Sequence, residues 1–267
     1  MDDQAMFNLK GRIALVTGAG QGVGRAIALG LARNGAGGII VNDFFAERAL
    51  AVAEAIRALG VRAEPMVADV TDLPAIHAAL AACVQALGPV EILVNTAGNG
   101  GVHGYPPELP LFWQTEPARW RRFVEVNLYG VMNCCHAILP GMVERGYGRV
   151  VTITSDASRA IEPRQADYAA AKAGAAGFMR GLAADAARFG ITANCVAIAT
   201  IMPAMPAPQL DAFLASDQSK RQLARYPIRR YGQPDDIVGM TVLLCSDAAG
   251  WITGQTYPVN GGYSPAL

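Results

Sequence analysis

The sequence predicts an α/β protein built on a doubly wound parallel sheet of about seven strands, with helices on both faces. Short apolar runs alternate with Ala-rich stretches of helical length along the whole chain. These runs are apolar throughout, which is typical of strands that are covered on both faces. Parallel crossovers are right-handed, so we expect residues 1–267 to form one doubly wound domain.

The elements follow one another in regular order. Runs rich in Val and Ile predict strands at residues 12–17, 38–42, 61–67, 91–95, 149–154, 192–197 and 255–259. The stretches between them predict helices at 22–33, 46–59, 73–87, 117–142, 166–189 and 234–245. Gly60 ends the second helix, Gly88-Pro89 ends the third, and Thr115 is the expected cap of the fourth.

Composition narrows the class of protein. The chain carries 22 Lys+Arg against 22 Asp+Glu, and 52% of its residues are hydrophobic. Such a chain is too apolar to be disordered, and zero net charge offers no basic face to nucleic acid. No apolar run reaches the roughly 18 residues that span a bilayer, and the N-terminus is acidic where a signal peptide is basic. We therefore expect a cytoplasmic protein without a nucleic-acid or membrane partner.

Cysteine and histidine spacing gives a further expectation. The five cysteines include no CxxC pair, and the three histidines are scattered along the chain. Zinc sites and disulfide frameworks need closer spacing, so we expect neither a metal site nor disulfides.

A glycine-rich turn, Thr17-Gly18-Ala19-Gly20-Gln21-Gly22-Val23-Gly24, leads from the first strand into the first helix. Glycines there permit a tight turn and close approach of the backbone to a pyrophosphate, and the helix N-terminus attracts phosphate. An ordinary strand–helix turn is the alternative interpretation. The position after the first strand favours a dinucleotide site in a Rossmann-type sheet.

Asp43 ends the second strand, 19 residues after Gly24. A carboxylate at this position accepts hydrogen bonds from the adenosine ribose hydroxyls and repels a 2′-phosphate, so we predict NAD rather than NADP. Asp43 is also a candidate cap for the helix that follows. No Lys or Arg lies within the glycine turn, and Arg48 is the nearest basic residue that argues against this prediction.

Tyr168 and Lys172 are four residues apart, so they share one face of the predicted helix. A tyrosine with its usual pKa of about 10 is a poor base at neutral pH, and a nearby ammonium lowers that pKa. Ser155 ends the fifth strand, at the edge where doubly wound sheets place their chemistry. Two unrelated surface side chains are the alternative interpretation of the Tyr–Lys pair.

Taken together and in this order, the glycine turn, Asn95-Thr96-Ala97-Gly98, Asn127, Ser155 and Tyr168-x-x-x-Lys172 resemble the classical short-chain dehydrogenase/reductase family. The resemblance covers essentially the whole chain, and residues 254–262 (GQTYPVNGG) are similar to the family's last strand. It implies a nicotinamide-dependent enzyme that interconverts a secondary alcohol and a ketone, with NAD as the cofactor predicted from Asp43, and it implies a homotetramer or homodimer.

The resemblance also implies a role for each site residue. Tyr168 would exchange the proton of the carbinol oxygen, and Ser155 would orient that oxygen. Lys172 would hold the nicotinamide ribose, and Asn127 would hold a water that links Lys172 to solvent. Asp69 would contact the adenine amino group. The implied cofactor-binding set is Gly18, Gln21, Gly22, Val23, Gly24, Asp43, Asp69, Val70, Asn95, Ala97, Gly98, Tyr168, Lys172 and Ile201.

The sequence departs from the family pattern after the sixth strand. Where the family has Pro-Gly and then a Thr, this chain has Ile198-Ala199, and Pro203 stands at the Thr position. Proline offers neither a hydroxyl nor an N–H, which leaves the Ile201 backbone or the Thr200 hydroxyl to hold the carboxamide. The resemblance further implies that residues 200–226 form a substrate lid.

Substrate clues are few. The long segment between Gly98 and Trp120 holds four residues that either line the pocket mouth or pack over the sheet edge: His103, Tyr105, Phe112 and Trp113. Arg159 and Arg164 are candidates to pair with a carboxylate or a CoA phosphate. Trp120, Arg121 and Arg122 are expected to serve as helix surface and packing.

Two alternatives remain open beside the NAD-dependent alcohol dehydrogenase. The run at residues 155–159 (SDASR) resembles family members that act on cyclic hydroxyacyl-CoA substrates, which suggests a cyclic or hydroxyacyl alcohol. The first alternative is an NADP-dependent 3-oxoacyl or carbonyl reductase. The second is a non-catalytic NAD-binding protein, for which the altered segment 198–203 is the only support.

Overall fold

The computed structural model describes residues 7–98, 109–202 and 206–265. Within these ranges the strands are β1 (Ile13–Val16), β2 (Gly38–Asp43), β3 (Arg62–Val67), β4 (Val90–Asn95), β5 (Gly148–Ser155), β6 (Ile191–Ile198) and β7 (Thr256–Val259). They form one sheet in the order β3-β2-β1-β4-β5-β6-β7, and every neighbouring pair is parallel. The predicted doubly wound sheet is confirmed, and the strand order reverses between β1 and β4.

The helices of the described ranges are α1 (Gly22–Arg33), α2 (Ala46–Arg57), α3 (Leu73–Leu87), α4 (Pro117–Val124), α5 (Gly130–Arg145), α6 (Ala166–Ala186), α7 (Ala207–Ala215), α8 (Asp217–Leu223) and α9 (Val238–Cys245). Helices α1, α2 and α9 cover one face of the sheet, and α3, α5 and α6 cover the other.

Alternate side chains of each strand enter different cores. In β1, Ala14 and Val16 pack with α1, α2 and α9, whereas Leu15 packs with α3, α5 and α6. Successive side chains of a strand point to opposite faces, and both faces are covered here, so the strands are apolar throughout.

The prediction of one continuous helix over residues 117–142 is wrong. The helix is interrupted by a π-helical turn at Glu125–Tyr129, between α4 and α5. Within this turn the buried Asn127 donates a hydrogen bond from Nδ2 to the Phe123 carbonyl oxygen at 3.0 Å. The wider turn carries one extra residue, a feature often found at functional sites.

The predicted cap at Thr115 is also wrong. The residue that precedes α4 is Glu116, and its side chain makes no capping bond. The Thr115 hydroxyl instead donates to the Phe112 carbonyl oxygen at 2.6 Å and accepts from the Trp120 indole. Thr115 therefore closes the turn that precedes α4 rather than capping the helix.

Two other predicted helices have a short 3₁₀ turn at one end. The helix predicted to end at residue 189 stops at Ala186 and continues as a turn at Ala187–Phe189. The helix predicted at 234–245 opens with a turn at Pro234–Ile237 before α9. The helix predicted to end at residue 142 ends at Arg145, and the other boundaries agree with the prediction to within two residues.

No helix in the described part of the chain is long and apolar enough to cross a membrane. All five cysteines are buried and free. In residues 7–98, 109–202 and 206–265, no group of three or more His, Cys, Asp or Glu side chains is placed to hold a metal ion.

Candidate active site

A cleft of about 670 Å³ opens at the carboxyl ends of the central strands. A crevice forms there because the crossovers on the two sides of the β1–β4 switch leave to opposite faces of the sheet. The glycine turn and Asp43 line one part of it, and Tyr168 and Lys172 line another. The predicted residues that line the cleft are Gly18, Gln21, Gly22, Val23, Gly24, Asp43, Asp69, Val70, Ala97, Gly98, Tyr168 and Lys172.

The glycine turn has the geometry that a pyrophosphate needs. Gly18 and Gly22 have φ of +59° and +53°, in the left-handed region that favours glycine. A Cβ atom on Gly24 would overlap the Gly18 carbonyl oxygen, and one on Gly18 would lie 2.8 Å from the Ala97 Cα. No side chain caps α1 at Gln21. A bare backbone beside an uncapped helix N-terminus fits the diphosphate of a dinucleotide.

The glycine turn and Asp43 together form what we call the cofactor cradle. Asp43, its second part, is 6% exposed. Its Oδ2 accepts from the Gly20 N–H and its Oδ1 accepts from the Phe45 N–H, both at 3.0 Å. Phe45, not Asp43, stands at the start of α2, so the alternative role of Asp43 as the helix cap does not hold. Each carboxylate oxygen has a second lone pair, which suits it to accept from a ribose hydroxyl.

Two side chains beside Asp43 were not predicted to line the cleft. Arg48 and Phe45 both border it, and the Arg48 guanidinium lies 4.3 Å from the centre of the Phe45 ring. Arg48 makes no ion pair with a carboxylate of the described residues. A cation is therefore present close to Asp43.

Asp69 and Val70 follow β3 and form another part of the wall. The Asp69 Oδ1 accepts from the Thr71 N–H at 2.9 Å, which holds the turn after the strand. Val70 packs closely on α5, since a Cβ atom on Gly130 would lie 2.7 Å from the Val70 Cγ2. This close packing fixes an apolar surface beside a carboxylate.

Lys172 is buried at the opposite part of the cleft, and its Nζ donates to the Ile153 carbonyl oxygen at 3.0 Å. Burial disfavours the charged ammonium and lowers the pKa of Lys172 to about 8. A Cβ atom on Gly98 would lie 2.6 Å from the Asn127 Oδ1 and 2.9 Å from the Lys172 Nζ. Glycine at this position therefore brings β4, the π turn and α6 together.

Tyr168 is half-buried in the first turn of α6, and Lys172 follows it one turn later. Both border the cleft, so the predicted shared face is present. The Tyr168 ring meets the Phe123 ring edge-on, with 5.7 Å between the ring centres. Phe123 belongs to α4, so this contact links the phenol to the helix that precedes Asn127.

Ser155 ends β5, as predicted, and is half-buried, but it is not among the residues that line the cleft. Its hydroxyl accepts from the Ala157 N–H at 3.2 Å, and its carbonyl oxygen accepts from the Ser158 hydroxyl at 2.6 Å. These bonds shape the tight turn that follows Ser155. Ser155 itself lies next to Ile153 and Thr154, which line the cleft.

The residues after Ser155 are held by residues 260–265. The buried Asp156 accepts from the Asn260 amide at 2.6 Å and from the Arg159 guanidinium at 3.1 Å. Arg159 also donates to the Pro265 carbonyl oxygen at 2.7 Å. The carboxylate partner of Arg159 is thus Asp156 of the same chain, which argues against Arg159 as the candidate partner of a ligand carboxylate or phosphate.

Arg164 is likewise used inside the protein, since it donates to the Leu109 carbonyl oxygen at 2.8 Å. Phe112 and Trp113 do not border the cleft; Phe112 stacks on Trp120 at 5.0 Å, and Trp113 is 77% exposed. His103 and Tyr105 lie outside the described residues.

Besides Ser155, three predicted site residues lie away from the cleft lining. Asn95 is buried and donates to the Thr152 hydroxyl at 3.2 Å, so it braces β4 against β5. Asn127 is buried within the π turn. Ile201 borders a separate pocket of about 170 Å³ and pairs with Gly232.

The structure places the segment after β6 only in part. The Thr200 hydroxyl accepts from the Gln222 side chain at 2.9 Å, so it already serves to attach residues 200–202 to α8. Ile198, which replaces the proline of the family pattern, borders the cleft. Pro203 lies outside the described residues.

Sequence reasoning missed a set of residues that also line the cleft: Asn42, Phe44, Phe45, Ala68, Thr71, Thr96, Arg122, Glu125, Val126, Ile153, Thr154 and Ile198. Most of them lie at or just past a strand end, a position that could have identified them. Arg122 was expected only as helix surface and packing, but it borders the cleft. It stands four residues before Val126, so both face the cleft.

Comparison with known proteins finds relatives that match nearly the whole chain. A family model described as Enoyl-(Acyl carrier protein) reductase matches residues 18–264. The 7α-hydroxysteroid dehydrogenase of Escherichia coli (strain K12) is 34% identical over 262 residues, which cover 96% of this chain and 98% of that protein. The 3-oxoacyl-[acyl-carrier-protein] reductase FabG of Staphylococcus aureus (strain Mu50) is 37% identical over 250 residues, covering 93% and 96%.

Two solved structures superpose on nearly the whole chain. A gluconate 5-dehydrogenase from Burkholderia cenocepacia J2315, in complex with NADP and tartrate, has a TM-score of 0.87 and 34% identity, covering 99% of this chain and 100% of that one. A 7α-hydroxysteroid dehydrogenase, complexed with NADH and 7-oxo glycochenodeoxycholic acid, has a TM-score of 0.86 and 32% identity, covering 98% and 97%. Proteins similar to this chain thus include complexes with either nicotinamide cofactor.

Proposed function

The chain belongs to the classical short-chain dehydrogenase/reductase family of oxidoreductases, and we propose that it is an NAD(H)-dependent enzyme that interconverts a secondary alcohol and a ketone. One observation carries the proposal. The cleft that is bordered by the glycine turn and Asp43 also holds the Tyr168–Lys172 pair. Dinucleotide binding and proton transfer are thereby brought to one site.

The dinucleotide, when bound, supplies the two-electron acceptor or donor. The diphosphate would be held by the glycine turn and the adenosine ribose by Asp43. The side chains of the chain itself handle the proton. In the oxidation direction, the Tyr168 phenolate accepts the proton of the substrate hydroxyl, and in the reduction direction the phenol returns it to the carbonyl oxygen. A protonated Lys172 favours the phenolate by its charge, and Ser155 donates to the substrate oxygen.

The preference for NAD is supported by the position of Asp43. Its buried carboxylate stands beside Gly20, within the cofactor cradle. The 2′-phosphate of NADP would be repelled by this carboxylate, whereas the ribose hydroxyls of NAD would donate to it. NADP is therefore expected to bind more weakly than NAD.

The experiment is a screen for NADH formation from NAD and a panel of secondary alcohols. The panel includes cyclic alcohols, hydroxyacyl-CoA thioesters, hydroxysteroids and gluconate. We expect at least one class to be oxidised, and Tyr168→Phe to lower kcat by roughly 100-fold or more with NAD affinity kept. A protein that binds NAD and turns over no alcohol or ketone, with Tyr168→Phe indistinguishable from it, is the non-catalytic alternative.

A second candidate function is an NADP-dependent 3-oxoacyl reductase. It is favoured by Arg48, which borders the cleft beside Asp43 without a carboxylate partner, and by the similarity to FabG. Under this function a 3-oxoacyl thioester would be reduced with NADPH, and Arg48→Ala would weaken NADP far more than NAD. Under the first proposal, Arg48→Ala leaves the stronger binding of NAD in place.

We also propose that the chain assembles as a homotetramer or homodimer. Support comes from apolar side chains that are exposed on and beside α5, including Tyr129, Met132 and Val143, and from the fully exposed Trp251 near β7. Light scattering over a range of protein concentrations tests the assembly, and a monomer at all concentrations would exclude it.

A further inference from the structure

A buried ion pair lies directly beside the proposed acid/base residue. Asp167 precedes Tyr168 in the first turn of α6, and its side chain is only 3% exposed. Its Oδ2 accepts from the Arg119 Nε at 2.6 Å, and its Oδ1 accepts from the Tyr168 backbone N–H at 2.9 Å. The Asp167 carboxylate therefore joins α4 to the backbone of Tyr168.

Arg119 also reaches Tyr168 by a second route. Its guanidinium lies 5.2 Å from the centre of the Phe123 ring, and the Phe123 ring meets the Tyr168 ring edge-on at 5.7 Å. Arg119 is thus linked to the backbone of Tyr168 through Asp167 and to its phenol ring through Phe123.

One kind of side-chain support is missing at the start of α6. Gln165 occupies the cap position without a side-chain capping bond. A helix whose first N–H groups are not capped is prone to fray, so a buried contact in the first turn has a large effect on where that turn lies. The Tyr168 phenol is carried by this turn.

We propose that Arg119 is a positioning residue for Tyr168, which it holds through Asp167 and Phe123. The kinetic test of this inference rests on the proposed function, because it needs an alcohol that the protein oxidises. Arg119 is 15% exposed in its side chain and does not border the cleft, so it acts through its neighbours and not on substrate.

The ion pair also balances charge beside the phenol. If Arg119 loses its charge, the buried Asp167 carboxylate is left unpaired and disfavours the Tyr168 phenolate. If Asp167 loses its charge, the unpaired guanidinium favours the phenolate. Six other charged side chains line the same cleft: Asp43, Arg48, Asp69, Arg122, Glu125 and Lys172. These groups are the same in every variant below.

The test compares Arg119→Gln, Asp167→Asn, the double variant and Arg119→Lys. One readout is the pH dependence of kcat/KM for alcohol oxidation. The other is the tyrosinate absorbance of each cofactor-free protein, measured as the difference from the same protein carrying Tyr168→Phe. The absorbance titration needs no substrate, so it still decides the inference if no alcohol is oxidised and the proposed function fails.

We expect opposite shifts in the two single variants. The pKa of Tyr168 and the acidic limb of kcat/KM should move up in Arg119→Gln and down in Asp167→Asn, each by on the order of 0.5–1 pH unit, and return in the double variant. The kcat of Arg119→Gln should also fall by roughly tenfold to a hundredfold because the phenol is displaced. Arg119→Lys keeps the charge, so the acidic limb of its kcat/KM profile should stay in place. Its kcat should fall less than that of Arg119→Gln.

The matched control is Arg57→Gln, which breaks the exposed Arg57–Glu64 pair outside the cleft and should move neither readout. Folded single variants that show no shift, or shifts of the same sign, would overturn the proposal. If Arg119→Gln fails to fold, the downward shift in Asp167→Asn and its disappearance in the double variant decide the question.

Discussion

The Asp43 Oδ2 accepts a hydrogen bond from the Gly20 N–H at 3.0 Å, which joins the end of β2 to the turn between β1 and α1. A Cβ atom on Gly20 would lie 2.6 Å from the same oxygen, so only glycine lets the two backbones come this close. The two parts of the cradle therefore form as one unit, and a change in Asp43 alters both.

Asp43→Ala is expected to lower NAD affinity by roughly 10–100-fold, since the variant loses the carboxylate for the ribose and frees the Gly20 N–H. NADP affinity should fall less, because the repulsion of a 2′-phosphate is removed while Arg48 remains. Fluorescence titration with each cofactor measures the ratio. An unchanged NAD/NADP ratio would refute the assigned role of Asp43.

The matched control for this variant is Asp72→Ala. Asp72 caps α3 by accepting from the Ala75 N–H at 3.0 Å and lies outside the cleft. Its loss should cost about 1 kcal/mol of stability and leave both cofactor affinities unchanged.

Gly24→Ala is expected to abolish tight cofactor binding and to destabilise the protein by about 1–3 kcal/mol. The added methyl group would overlap the Gly18 carbonyl oxygen, and backbone cannot move aside as a flexible side chain can. Gly181→Ala is the control, since a Cβ atom there meets nothing within 4 Å. That change within α6 should stabilise the protein by about 0.5–1 kcal/mol. Urea unfolding and NAD titration of both variants are the measurements.

Lys172→Met is expected to stabilise the cofactor-free protein near neutral pH by up to about 3 kcal/mol. Burial lowers the pKa of Lys172 from 10.5 to about 8, so the native state opposes its charge. Between these two values the unfolded chain binds the proton and the native chain does not, so native stability rises with pH there. The advantage of Lys172→Met in urea unfolding should therefore shrink from pH 8 to pH 10.5. A constant advantage across that range would contradict the lowered pKa.

Asp247→Asn should destabilise the protein above pH 4 and have little effect near pH 2. Burial alone would raise the pKa of Asp247, but hydrogen bonds from Lys10 and Arg12 hold it at about 2. Asp247 stabilises the native state above its unfolded pKa, and this contribution is lost as the pH falls through 2. Asp247 and its partner Lys10 are partly exposed, so solvent screening limits the loss of stability to about 1 kcal/mol. Thermal unfolding of both proteins from pH 2 to 7 measures it, and an equal difference in Tm at every pH would contradict it.

Local patterns in the sequence predicted most of the fold and the two parts of the cleft. The strands could be located because both faces of the sheet are covered, which leaves apolar runs between helices. The glycine turn and the Tyr168–Lys172 pair are likewise set by near neighbours in the chain. Asp43 was placed by its position at a strand end.

Other features could not be predicted in this way. The π turn at Glu125–Tyr129 has an ordinary helical sequence, so no residue in it indicated that the helix is interrupted there. Arg119 pairs with Asp167, 48 residues away, so nothing near it in the chain identifies the partner. Arg159 was one candidate to pair with a ligand, and its partners Ser264 and Pro265 could not be predicted because they follow it by more than a hundred residues.

The attachment of Asp156 to Asn260 also affects the order in which the protein is built. The two residues are 104 positions apart, so the turn after Ser155 lacks its partner until the last strand has left the ribosome. A long-range contact of this kind forms late, because a large loop must close first. The nascent chain would therefore complete its cofactor cradle, which lies in the first hundred residues, well before its serine turn.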